Sequence, residues 1–447
     1  MIFNFSLYGF LKNQRYFEPF IVLAFIDKGL TFFWIGLLIG IREVATNVME
    51  IPTGAMADTM GRRYSMIASH LAYIAAFICL GYFEQFEMMA GAMVLFSIGE
   101  AFRTGTHKAM IFSWLKANNK LDQKKHVYGY TRSWSKMGTA VGALIAAGLL
   151  LVTERYDYVF YVSAIPMLFG IVNFLCYPSC VESPKTAPSR VLKQGDCRHA
   201  PLSEGEGKKS VGQVVKTLWM GIKHAATHKK LRALLVEDVT FEGMFKATKD
   251  YLQPILQSAA LAMPVGGVMW LSEANETQKT IVLVAVVYAV LSVFASFASR
   301  KAAKFSDGFE DDSKATKAIW LLCFVSFVMV TVGSFVGWYF AIAAGFVAVA
   351  IFQNLWRPLM ISRIAEHVDD ETMATVLSVE SQGKTMLTAV LAPMIGFAVD
   401  YVGKMNGDLQ YLPIAGLGLI VCVWFCLKKR DDAKTQTEEV LEVAVEA

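Results

Sequence analysis

The feature that most restricts this chain is a series of apolar runs, each about as long as a bilayer is thick, joined by mostly short connectors. The runs lie at roughly 6–27, 31–57, 64–83, 88–113, 130–152, 157–178, 233–259, 278–299, 317–335, 337–363, 373–400 and 409–427. One membrane helix needs about 20 apolar residues, so twelve would take up roughly 240–280 positions. The chain has 447 residues, which leaves enough for connectors. Only 18% of the residues are charged and 55% are hydrophobic, whereas soluble domains carry about 25% charge. This balance excludes a soluble enzyme, a disulfide-stapled secreted domain and a nucleic-acid binder. It predicts an all-α protein with twelve transmembrane helices, embedded in a lipid bilayer.

The connectors carry the orientation. Basic residues follow the second, fourth, eighth and twelfth runs, as in Arg62-Arg63, Lys124-Lys125, Arg300-Lys301 and Lys428-Lys429-Arg430, and others lie between the sixth and seventh. Alternate connectors hold isolated cations such as Lys28, Arg155 and Lys404. The positive-inside rule then places both termini in the cytoplasm, with a bacterial inner membrane as the expected location. The expected division is a first bundle at 1–178, a cytoplasmic linker with an amphipathic helix at 179–232, a second bundle at 233–428 and a disordered tail at 429–447. Lys12, Arg15 and Glu18 interrupt the first run, so it reads as a retained span and not a cleaved signal peptide. The seven cysteines form no CxxC and no metal-type spacing. No cofactor, metal or nucleic-acid partner is expected, and the net charge of +4 is too small to indicate a polyanion.

The second run ends in Gly54-Ala-Met-Ala-Asp58-Thr-Met-Gly61-Arg62-Arg63. This G-x-x-x-D-x-x-G-R-R string, together with the six-plus-six layout, resembles the signature of the major facilitator superfamily across essentially the whole chain. The resemblance implies two six-helix bundles that rock about a central site. It also implies a latch in which Asp58 faces the N-terminus of the eleventh helix, and Arg62 and Arg63 help close the cytoplasmic side. Gly54 and Gly61 read as a close helix approach and a tight turn. The second half keeps only the remnant Ser299-Arg300-Lys301, and Ala143 stands where drug antiporters of the family carry a proline after Gly142.

Ionisable residues recur near the middle of several runs. They include Arg15 and Glu18 in the first, Arg42, Glu43 and Glu50 in the second, and Glu100, Arg103 and His107 in the fourth. Asp238, Glu242, Lys246 and Lys249 follow in the seventh, Arg357 in the tenth, and Glu380 and Lys384 in the eleventh. Each costs on the order of 2.5–3.5 kcal/mol at a lipid-exposed helix centre. A dozen facing lipid would exceed a domain's whole stability of about 5–15 kcal/mol. They must therefore face water or one another.

One reading makes them a fixed ion-pair network; the other, favoured for the set, makes them a working site. On that reading Arg15, Glu18, Glu43, Glu100, Arg103, Glu242, Lys246 and Lys384 contact substrate, while Glu100, His107, Glu242 and Glu380 are the candidates for proton coupling. Tyr73 and Trp356 read as packing aromatics. The expectation is a monomeric, non-enzymatic secondary transporter of a small polar or charged solute, coupled to protons. Efflux of a drug or organic cation is the alternative, and a non-transporting membrane sensor is the more distant one.

Overall fold

A computed structural model describes residues 1–104, 106–120, 123–178, 181, 228–262, 274–368 and 370–428. The expected linker helix and acidic tail lie outside these residues, apart from 228–232. Among the described residues the regular structure is entirely helical. Nine helices among the described residues are long and apolar enough to cross a membrane. Three further rods are each assembled from two helical pieces, which fits the expected twelve.

The first rod is α1 (Ile2–Lys12) followed by a 3-10 turn at Glu18–Phe20 and α2 (Ile21–Asp27). Next come α3 (Phe32–Met60), α4 (Arg62–Tyr82) and the second divided rod, α5 (Phe86–Arg103) with α6 (Thr106–Ala117). The first bundle ends with α7 (Lys124–Thr153) and α8 (Tyr158–Leu175). The third divided rod, α9 (Lys229–Thr248) and α10 (Leu252–Leu261), opens the second bundle. It continues through α11 (Glu276–Ser306), α12 (Asp312–Val336), α13 (Tyr339–Ala365), α14 (Asp370–Met405) and α15 (Leu412–Leu427).

Two of the breaks follow from proline. A proline ring clashes with the carbonyl four residues before it. Pro19 does this to Arg15, and Pro254 does it to Asp250, beside the 3-10 turn Lys249–Tyr251. The divided first and seventh rods are also the two whose charges dilute their hydropathy most. At the junction of α3 and α4, Gly61 adopts φ +97°, a conformation that other residues rarely take.

Side chains such as Phe169, Val172, Val293, Phe297 and Leu144 are more than half exposed and form the lipid-facing belt. The end of the molecule bearing Arg62 and Arg63 is the basic rim, and the opposite end is the far rim. Among the described residues, the buried apolar side chains form three clusters. One occupies the far half and is shared by both bundles, running from Phe20, Phe25 and Leu38 through Tyr251, Ile255 and Ile395. The basic half has two separate cores. Phe5, Met66, Trp114 and Phe174 pack within the first bundle, and Phe241, Trp320, Trp356 and Phe425 within the second. The bundles are thus fused at the far rim and parted at the basic rim.

Glycines make the far-rim fusion possible. A Cβ on Gly36 or Gly40 of α3 would strike the carbonyls of Ala392 and Ala389 on α14, and one on Gly396 would strike Phe32. Within the first bundle, a Cβ on Gly138 of α7 would strike the Phe10 carbonyl of α1, and Gly142 lies close to the Asn13 carbonyl just beyond α1. Helix packing accounts for this glycine pair.

Candidate functional site

The intramembrane charges gather at mid-depth, where the shared core ends and the two separate cores begin. Nine of them form three groups with one pattern, a carboxylate held by two cations, beside the pairs Lys249–Asp250 and Arg363–Glu237. In the first bundle, Glu100 of α5 accepts from Arg15 at 3.0 Å and from Arg103. Arg15 arrives from the stretch between α1 and the Glu18–Phe20 turn, and Arg103 ends α5. The Tyr73 hydroxyl donates to Glu100 and accepts from Arg15 at 3.2 Å and from Arg103 at 3.3 Å. The Arg15 guanidinium also lies 5.3 Å from the Tyr73 and Phe96 ring centres.

Between the bundles, Glu43 of α3 is held by Arg42 at 3.0 Å and by Lys246 of α9. In the second bundle, Glu380 of α14 is almost fully buried and accepts from Arg357 at 2.8 Å and Lys384 at 3.0 Å. Ions at this depth are tolerated only when paired and hydrogen-bonded, and these three groups meet that condition.

Two further acids have a neutral hydrogen-bond donor and no ion pair among the described residues. Glu242 accepts from the Gln353 amide at 3.0 Å, and Asp238 from the Trp356 indole at 2.7 Å. Both are buried. A carboxylate held this way can take up a proton without giving up a direct ion pair, unlike Glu100, Glu43 or Glu380. His107 packs against Tyr8, with ring centres 4.0 Å apart and the rings tilted by 37°, and lies 3.4 Å from the Tyr177 hydroxyl. Glu18 is exposed and its carboxylate makes no ion pair among the described residues; its backbone carbonyl is the part engaged across the interface.

Sequence reasoning passed over several of these groups. Tyr73 and Trp356 are not only packing aromatics, because their polar atoms bond Glu100 and Asp238. The polar residues of the seventh rod are divided by the 3-10 turn, and Gln253, beyond it, is turned toward the first rod. Its Oε1 accepts from Val22 N–H at 2.8 Å and its Nε2 donates to the Glu18 carbonyl at 3.0 Å. Those are the two backbone groups that a continuous helix would pair with each other. Gln253 therefore replaces a missing rung of the first rod from the opposite bundle. Asp400, near the far end of α14, likewise accepts the Phe32 and Phe33 N–H groups at 3.0 and 2.8 Å, satisfying the start of α3.

At the basic rim, Arg62 donates to Ser113 at 2.5 Å and to the Ala109 carbonyl at 3.4 Å, and Arg63 to the Tyr177 carbonyl at 3.3 Å. These partners belong to the first bundle. The Asp58 side chain lies outside the described residues. A cavity of about 90 Å³ beside the seventh-rod break, lined by Lys249, Asp250, Tyr288 and Phe346 among others, has room for several waters but is small for a solute.

Comparison with known proteins agrees with this geometry. The Major Facilitator Superfamily profile matches residues 5–379. No curated protein matches the sequence. The fold is similar to that of the nucleoside transporter NupG, with 12% identity and a TM-score of 0.71, covering 96% of this chain and 99% of that one. It is also similar to a peptide transporter POT in complex with sulfate, with 14% identity and a TM-score of 0.65 over 95% and 93% of the two chains. A D-xylose-proton symporter is similar with 10% identity and a TM-score of 0.63 over 95% and 96%.

Proposed function

The chain belongs to the Major Facilitator Superfamily, whose members are membrane transporters, and we propose that it carries a small polar or charged solute by alternating access, coupled to protons. The observation that carries this reading is the split packing: one apolar core at the far rim, two cores at the basic rim, and the charged groups where they diverge. That is the arrangement of a carrier open on one side only. With the basic rim in the cytoplasm of a bacterial cell, this state faces inward.

Solute enters from the basic rim and meets Glu100, Arg103 and Arg15 on one wall and Glu242, Lys246 and Lys384 on the other, with Glu43 joining the two. Return to the outward state requires the Glu43–Lys246 pair to exchange partners, because it crosses the interface. Glu242 is the favoured proton carrier, held as it is by a neutral amide. Glu100, Glu380 and His107 are secondary candidates. Asp58, Gly61, Arg62 and Arg63 form the basic-rim gate; Gly54, expected at a close helix approach, is exposed with open space around it in this state, because the basic rim is parted. The concentration of charge favours a polar solute over a greasy drug, whose pocket would be mostly apolar.

The test is uptake into proteoliposomes of purified protein, with and without an imposed pH gradient. Wild type is expected to accumulate at least one compound from a metabolite mixture, more strongly with the gradient. The Glu100→Gln/Glu242→Gln double variant should lose the pH-driven part. Unchanged coupling in that variant would refute the assignment of the proton carriers.

A further inference from the structure

Two cations of the first bundle bind a single carboxylate, and a third lies beside them. Arg15 and Arg103 both bind Glu100. Lys12, at the end of α1, is half-buried and makes no hydrogen bond or ion pair with any described residue. Its electrostatic neighbours are Arg103 and Arg15, with Glu18 opposing more weakly. Within this cluster Glu100 compensates one of three positive charges.

A second vacancy adjoins the first. The Tyr8 hydroxyl, one helical turn before Lys12, is buried beside the Arg103 guanidinium, which can only donate to it, and its own proton has no acceptor among the described residues. An unpaired ammonium and an unpaired hydroxyl donor beside two guanidinium groups form a costly arrangement at membrane depth. An oxyanion would relieve all of it at once. It would pair with Lys12, accept from Tyr8, and share the planar donor forks of Arg15 and Arg103. The Arg15, Arg103 and Glu100 side chains keep 15%, 19% and 22% of their surface exposed.

We propose that the first bundle binds an anionic oxygen group of the solute, a carboxylate or a phosphate, between Lys12, Arg15 and Arg103. This rests on the carrier reading above and names the chemistry of its solute. Lys12 supplies the charge that Glu100 leaves free, and Tyr8 supplies a directional donor.

The test separates binding from transport. Thermal unfolding of the purified full chain is followed in inorganic phosphate, in succinate, and in uncharged succinamide, with chloride balancing ionic strength. Phosphate or succinate should raise the midpoint and succinamide should not; which of the two acts assigns the group as phosphate or carboxylate. Lys12→Met should melt at or above wild type without ligand, since it removes an unpaired charge, yet lose the anion response. Lys12→Arg should keep that response. No stabilisation by either anion, or an equal response in Lys12→Met, overturns the proposal. The proteoliposome assay is read independently: uptake only of compounds lacking an anionic group also overturns it, whereas no uptake of any compound counts against transport while the melting data still decide the anion site.

Discussion

Replacing Gln253 by leucine should open the far rim. The side chain is fully buried and supplies the only described link between the Val22 N–H and the Glu18 carbonyl. Leucine fits the volume but leaves both backbone groups unsatisfied while the rim is closed. An unmade buried hydrogen bond costs about 1–3 kcal/mol, so two cost about 2–6 kcal/mol. Once the rim opens, water reaches both groups and the penalty lapses. The closed state alone is therefore destabilised, and even about 2 kcal/mol shifts the equilibrium about thirty-fold.

The assay is a spin-label distance measurement across the far rim, with labels at Glu84→Cys and Lys404→Cys, both exposed positions, after the seven native cysteines are replaced by serine. Gln253→Leu should move the distribution toward longer distances. If the distribution is unchanged, the first rod has resealed its own 22-to-18 rung, and the idea that Gln253 holds the far rim shut is wrong.

Other expected outcomes follow from the same geometry. Asp400→Asn keeps one acceptor for two N–H groups and removes a charge at a helix start, so it should cost about 1 kcal/mol and open the same rim more weakly in the same assay. Gly36→Val would force a side chain into the Ala392 carbonyl, and should abolish far-rim closure and uptake while the bundles remain folded by circular dichroism. Glu380→Gln strands Arg357 and Lys384; it should lower the melting midpoint of detergent-purified protein, and Glu380→Gln combined with Lys384→Met should recover part of that loss. Glu242→Gln alone should retain exchange of solute across the membrane but lose its acceleration by a pH gradient, measured as counterflow against net uptake.

Much of the architecture could be read from the chain because hydropathy and basic connectors are local signals. Runs of about 20 apolar residues mark the spans, and Pro19 and Pro254 mark two of the breaks. The third break, after Thr104, has no proline and was not visible. Membrane energetics alone predict that Glu100, Glu43 and Glu380 are paired, but not with which cations. Arg15 and Glu100 are 85 positions apart, and Lys246 and Glu43 are 203 apart. Tyr73 and Trp356 were underrated because one polar atom on a large ring carries no pattern. Gln253 and Asp400 serve backbone groups of the other bundle, and no periodicity within their own helices points to such partners. Lys12 attracted notice only as an interruption in an apolar run, since whether a cation lacks a partner is a property of the folded site.

The glycine seam between α3 and α14 has a kinetic meaning. Where Gly36, Gly40 and Gly396 meet main-chain carbonyls, no side chain is lodged in a socket of the opposite helix. Parting such a surface needs no rotamer to withdraw, and rejoining it freezes almost no side-chain freedom. The two helices can separate and return along a smooth path at this seam, so resistance to opening the far side comes from the polar tethers and from the shared apolar core around Phe20, Tyr251 and Ile255, not from the glycine contacts.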